Sequence, residues 1–271
     1  FKLDFTLFAA FEGAYFDPDA TTMTAYATLL RVIDEAVGPD TFLNVVGAPM
    51  LPVVGGAHAT RSGTDLHYGF TENDPSHVSF VDNARNLMAR FVLNPGEIRF
   101  DLDALIARDP LTDDEVRAMA TVEAMAAGMY SIGEELGALN PARKAIVTSP
   151  ALFDISRSGG QVVPLDPHDE AGEDILISSI VEHILYRLGV PTRSRQPNRW
   201  WLPAGGGVHY VALFNWRDFE RSEEVKLSEI GLRRASRARD LWRDEDVTFD
   251  GAGIFRVRLP AHAVTLLRIE E

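Results

Sequence analysis

The hydrophobic pattern of this chain changes period once, near residue 199, and that change limits the architectures it can adopt. Upstream, apolar runs alternate with amphipathic helices. Residues 42–46 (FLNVV) lack the apolar–polar alternation of a half-buried strand, as strands of a parallel sheet covered on both faces do. Residues 22–37 (TMTAYATLLRVIDEAV) place Tyr26, Leu29, Leu30, Ile33 and Val37 on one helical face, and Gly38 closes the helix. Residues 77–92 repeat the helical spacing. Residues 1–5 (FKLDF) and 97–106 (EIRFDLDALI) read as further strand regions. Strand, helix, strand, loop, helix, strand is the rhythm of a β/α barrel or an open α/β sheet. Thr112-Asp113-Asp114-Glu115 is a capping box opening a helix to about Ala127, and a short helix is expected at 141–147.

Beyond residue 199 only short strands remain: 208–216 (VHYVALFNW), 239–242, 254–259 and 264–269, with a glycine turn at 205–207. That pattern predicts a small antiparallel sandwich. The expected organisation is therefore an α/β part at 1–150, a Gly-, Pro- and Asp-rich connector at 151–174, and a β domain at 175–271. Residues 175–188 read as a helical or extended piece.

Composition removes several functions. The 271 residues carry 26 Lys and Arg against 40 Asp and Glu, a net charge of −14. Such a surface repels phosphate backbones, so a nucleic-acid partner is not expected. No apolar run is long enough for a membrane span. Cysteine is absent, which excludes disulfides, thiolate metal sites and cysteine nucleophiles, and favours a cytoplasmic over a secreted protein. The histidines show neither an H-E-x-x-H nor a His-x-x-x-His pair, so no metal is expected. Ser62 lacks the G-x-S-x-G elbow of a serine hydrolase. Trp200, Trp201, Trp216 and Trp242 fall in the β part, where core packing is favoured over sugar stacking.

The chemistry that remains belongs to carboxylates at strand ends, where a β/α barrel carries its catalytic groups. Asp4 ends the run FKLDF. Lys2, two residues earlier, faces the same side and would keep Asp4 ionised. Arg61 and Asp65 are four apart, either as a surface ion pair or with Arg61 at a strand end and Asp65 in the loop beyond it. Asp101 and Asp103 sit in the next strand region. Read singly, strand-end aspartates are more often turn formers or helix caps. Two carboxylates facing each other across a barrel mouth are what glycoside hydrolysis needs.

Four stretches together resemble the alpha-galactosidase (melibiase) superfamily of retaining glycoside hydrolases. FKLDF resembles its K-x-D strand, LNVVGAPMLPVVGGAHATRSGTD the run up to its R-x-x-x-D segment, and NARNLMARFVLNPGEIRFDLDALIAR its later helix and strands. VHYVALFNW, DLW and LPAHAVTLLRI resemble its C-terminal β domain. Val46 stands where the family often has a cysteine, and Leu102 replaces the proline of its Asp-Pro-Asp.

The resemblance implies the second half of a TIM (β/α)8 barrel followed by a C-terminal antiparallel β-sandwich. It implies hydrolysis of terminal α-galactosides with retention. Asp4 would be the nucleophile and Asp65 the acid/base, with Lys2 and Arg61 on sugar hydroxyls and no cofactor. The alternatives within the class are an α-N-acetylgalactosaminidase or a transglycosylase making raffinose-type sugars. Outside it stands a non-catalytic carbohydrate-binding or structural fragment. FKLDF would be the fourth barrel strand, so the N-terminal half of the barrel is an expected partner, from the same gene product or another chain. An α-galactoside or oligosaccharide is the expected substrate, and a homo-oligomer is allowed.

Overall fold

The computed structural model describes residues 1–63, 65–66, 69–70, 79–166 and 197–271. The piece expected at 175–188 lies outside them, as do His67 and His77.

The first half is built on four parallel strands: β1 (Lys2–Leu3), β2 (Asn44–Val45), β3 (Ala59–Arg61) and β4 (Arg99–Asp101), paired in that order. Parallel bridges at Asp101–Met129 and Leu105–Ile132 carry the wall one step further. Among the described residues six helices accompany it: α1 (Thr22–Val37), α2 (Met50–Val53), α3 (Phe80–Ala89), α4 (Asp113–Met125), α5 (Pro141–Val147) and α6 (Pro150–Ser156). Helix α1 forms where its apolar spacing predicts. Thr21 caps its N-terminus by accepting from the Thr24 amide, and Gly38, at φ 80°, ends it in a conformation that suits glycine. Tyr26 and Leu30 of its inner face are fully buried, while Leu29 stays partly exposed. The strands are shorter than the apolar runs that announced them.

The second half is a sandwich. β5 (Val163–Pro164), β6 (Arg199–Gly205), β7 (Val208–Phe214), β9 (Arg237–Asp240), β10 (Glu245–Asp246) and β12 (Val264–Glu270) form one antiparallel sheet in the order β10-β9-β12-β7-β6-β5. β8 (Arg221–Lys226) and β11 (Ile254–Leu259) form the second sheet. The hairpin β6–β7 turns through Gly206 and Gly207, both at positive φ. Two boundaries shift against the sequence reading. Helix α6 prolongs the barrel part into the connector, and β5 takes the end of the connector into the large sheet.

The large sheet is covered on both faces. Along β7, Val211 and Leu213 pack towards the small sheet with Val225, Val257 and Leu267. Tyr210, Ala212 and Phe214 face the other way and join the barrel core with Val116, Met119 and Leu266. Successive side chains of a strand point to opposite faces, so a strand covered on both reads as a continuous apolar run. Helix α4 is the element shared between the halves. Its Thr121 hydroxyl accepts from the Trp242 indole at 2.9 Å, and its Glu115 lies 2.7 Å from His262 Nδ1. Trp200 and Trp216 are buried in this core and stack around Phe214, in keeping with a packing role.

Candidate functional site

The charged residues collect at the C-terminal edge of the parallel sheet. Leu3 pairs with Val45, Val45 with Thr60, and Arg61 with Asp101, so Asp4, Arg61 and Asp101 end their strands at about the same level. Val45, Thr60 and Phe100 are buried against the helices. Alternation therefore turns Lys2, Asp4, Asn44, Arg61 and Asp101 to the opposite, luminal side.

Arg61 is the centre of this side. Its side chain is only 4% exposed, and its three nitrogens meet three carboxylates. Nη1 lies 2.9 Å from Asp65 Oδ1, Nε 3.2 Å from Asp101 Oδ2, and Nη2 3.1 Å from Asp103 Oδ1. Burial works against the charge of the guanidinium. Asp101, Asp103 and Asp65 outweigh that and raise its pKa above the ordinary value.

Asp101 and Asp103 are each held a second time. The Asn44 amide donates to Asp101 Oδ2 at 2.7 Å, across the small Ala59 of the strand between them. Asp103 adopts a left-handed backbone, φ 78°, which aspartate tolerates. Its amide donates to Asp101 Oδ1, and its own Oδ2 accepts the Leu66 amide at 2.8 Å. Asp103 thus fixes both the guanidinium and the loop carrying Asp65. Asp65 itself is 74% exposed, a carboxylate presented to solvent on a buried mount.

Lys2 and Asp4 form the second group. Lys2 Nζ lies 3.5 Å from Asp4 Oδ2, and Asp4 Oδ1 accepts the Phe5 amide at 2.8 Å. Phe5 has φ 55°, an unusual conformation for a bulky residue, of the kind found at functional sites. The structure therefore brings together Lys2 with Asp4 and Arg61 with Asp65, with β2 between the two pairs.

Sequence reasoning missed two members. Asn44 is the polar residue in an otherwise apolar strand, which was the signal for it. Glu123 lies in the apolar run of α4 and is completely buried. Burial, and then the charges of Asp101 and Asp103, push its carboxyl well above the usual carboxylate range, and Arg61 offsets only part of this. Among the described residues, no group of His, Asp and Glu is arranged to hold a metal ion. A cleft of about 530 Å³ lies at the N-terminal end of β4, lined by Arg99, Gly128, Arg157 and Gln161 among others. Its lining includes none of the luminal carboxylates. The carboxylate row is the chemically organised one.

Residues 196–269 match the family described as the alpha galactosidase C-terminal beta sandwich domain. Over 72 residues the chain is 35% identical to alpha-galactosidase D of Emericella nidulans, a match covering 27% of this chain and 11% of that protein. Alpha-galactosidase I from Mortierella vinacea superposes with a TM-score of 0.69 at 15% identity, over 92% of this chain and 62% of its own. A β-L-arabinopyranosidase from Geobacillus stearothermophilus superposes with a TM-score of 0.72 at 17% identity, over all of this chain and 57% of its own. The chain thus spans little more than half the length of these solved chains, and a small part of the curated relative. Its fold is the second half of a β/α barrel followed by the β sandwich of the alpha-galactosidases.

Proposed function

We propose that this chain, with its alpha-galactosidase type of β sandwich, is the C-terminal part of a retaining glycoside hydrolase acting on terminal α-galactosides. The observation that carries this is the luminal row, with Asp4 beside Lys2 and Asp65 mounted on the buried Arg61 network at the strand ends. Strands β1 and β3 are two spacings of about 4.8 Å apart. For a retaining pair the Asp4 and Asp65 carboxyls must come within ~5–5.5 Å, Asp65 reaching across from the loop beyond β3.

In the first step Asp4 attacks the anomeric carbon while Asp65 gives its proton to the departing glycosidic oxygen, leaving a glycosyl-enzyme. In the second step Asp65 takes a proton from water, the water oxygen attacks the same carbon, and Asp4 leaves as carboxylate. Lys2 pairs with Asp4 and, with Arg61, contacts sugar hydroxyls. Three nitrogens of Arg61 already face carboxylates, so its larger part is to orient Asp65. The β-L-arabinopyranosidase neighbour has the same fold, so the fold does not choose the sugar. That choice is left to contacts with its hydroxyls.

The site requires more polypeptide. Among the described residues β1 pairs with β2 alone, and Phe5, Phe8 and Phe11, in the segment that follows it, are exposed. An open parallel edge flanked by aromatic surface is a pairing template. We assign it to the N-terminal half of the same barrel.

The test is activity of the complete natural polypeptide on a panel of aryl α-glycosides. Hydrolysis of the α-galactoside with retention is expected. Asp4→Ala abolishes turnover, and azide restores it as the product of inverted configuration. Asp65→Ala loses ~10²–10⁴-fold on poor leaving groups and much less on good ones. Equal losses for both variants on every leaving group would remove the division of roles. No activity on any glycoside would leave the non-catalytic carbohydrate-binding reading.

A further inference from the structure

Helix α4 carries a carboxyl group for which neither its helix nor the mechanism above has a use. Glu123 is 0% exposed, and neither of its side-chain oxygens has a hydrogen-bond partner. The ionisable groups that act on it are Asp101 of β4, Asp103 just beyond it, Arg61 of β3, and Tyr130, whose own hydroxyl donates to the Val147 carbonyl. The charge count around it is unequal. One guanidinium already serves Asp65, Asp101 and Asp103. An ionised Glu123 would be one more carboxylate near a cation already shared, without a donor of its own. A buried unpaired charge is far costlier than a buried neutral acid.

We infer that Glu123 is a positioning residue, an un-ionised carboxylic acid beneath the Arg61 cluster whose neutrality leaves Arg61 free to hold Asp65. This rests on the acid/base reading of Asp65 for its effect on catalysis, but not for its charge state. Burial and the two aspartates also act on Glu123 in this direction. Once Glu123 loses its proton in alkaline solution, the new charge repels Asp101 and Asp103 and draws Arg61 away from Asp65. The exposed acid/base then loses its mount. The proton on Glu123 thereby ties the alkaline limit of activity to the interior of α4.

The test uses the complete natural polypeptide and two variants, Glu123→Gln and Glu123→Met. The wild type should show the infrared carbonyl-stretch band of an un-ionised carboxylic acid at neutral pH, and Glu123→Gln should lack it. Retaining an un-ionised acid in the folded state costs stability as pH rises above the ordinary carboxylate value. The Tm of Glu123→Gln should therefore gain on wild type between mildly acidic and neutral pH. Glu123→Gln should keep kcat/KM within about threefold and lose activity less steeply on the alkaline side. Glu123→Met, neutral as well, should fold with a similar Tm and show the same shallower alkaline loss of activity.

Absence of the infrared band, or a Tm for Glu123→Gln that falls below wild type equally at all pH, would overturn the inference. An alkaline limb as steep in both variants as in the wild type would reduce Glu123 to a space filler and overturn its positioning role. If the wild type hydrolyses no glycoside, the infrared and Tm arms still decide the charge state, so the two readings fail separately.

Discussion

The two halves of this chain close their cores differently. In the sandwich, every strand of the large sheet between β9 and β6 has a neighbour on each side, and its two faces are covered by the small sheet and by the barrel helices. Phe219 is its one large apolar side chain that is strongly exposed among the described residues. The barrel part is equally tight around Phe80, Phe100, Leu105 and Met119. Towards β1 it opens, with Phe1, Phe5, Phe8, Phe11 and Phe16 all exposed. The contrast sets completed packing against an open edge. The sandwich and α4 complete their own packing, while the strand carrying Asp4 lies at the edge that is left incomplete.

Three measurements can break or sharpen this contrast. The largest effect is expected at the junction of the halves. Phe214 is fully buried between Trp200 and Trp216 and joins the barrel core. Phe214→Ala should cost ~3–5 kcal/mol in denaturant unfolding. A loss confined to the sandwich signal, with the barrel part unaffected, would show that the shared core does not couple them.

A smaller effect is expected at the clasp of α4 with the sandwich. His262 Nδ1 meets Glu115 at 2.7 Å and Nε2 meets Asp218 at 2.8 Å. Burial opposes a charge on His262, but the two carboxylates prevail and raise its pKa. Burial would likewise raise the Glu115 pKa, and its bonds to His262 and Thr112 lower it instead. The folded pKa of His262 lies above its unfolded value of about 6.5. Its contribution is therefore complete below that value and is lost as pH rises through the folded one. The Glu115 contribution is present above the ordinary carboxylate value and is lost as pH falls through the depressed one. Near pH 6, His262→Gln should cost ~1.5–3 kcal/mol, as for hydrogen bonds to a charged group, and the cost should shrink in alkaline buffer. A cost independent of pH would mean that His262 is neutral in the clasp.

The smallest effect is expected on the open face. Phe8→Ser should change the stability of the isolated chain by no more than ~0.5 kcal/mol. In the complete polypeptide the same substitution should cost several times more, because the proposed N-terminal half covers that face. Equal effects in both would mean that the face stays open.

Much of the architecture was legible in the residues. The apolar spacing between Thr22 and Val37, the capping box at Thr112 and Glu115, and the glycine turn before Val208 are local signals, and each element formed where its signal lay. Lys2 with Asp4 and Arg61 with Asp65 could be read as pairs, because two residues along a strand or four along the chain lie within reach. What joins them could not be read. Arg61 meets Asp101 only because β3 pairs with β4, and it meets Asp103 only because that residue turns left-handed beyond the strand. The second bond of Glu115, to His262, depends on where the sandwich docks, while its bonds to Thr112 follow from the box alone. Glu123 shows the division most clearly. The sequence shows a glutamate in an apolar helix, and the tertiary structure surrounds it with two aspartates and one shared arginine. Short-range hydrogen bonding and side-chain period depend on neighbours in sequence, so they are written there. Desolvation and the sum of charges at a point depend on what the fold stacks around it, so they are decided only when distant strands meet.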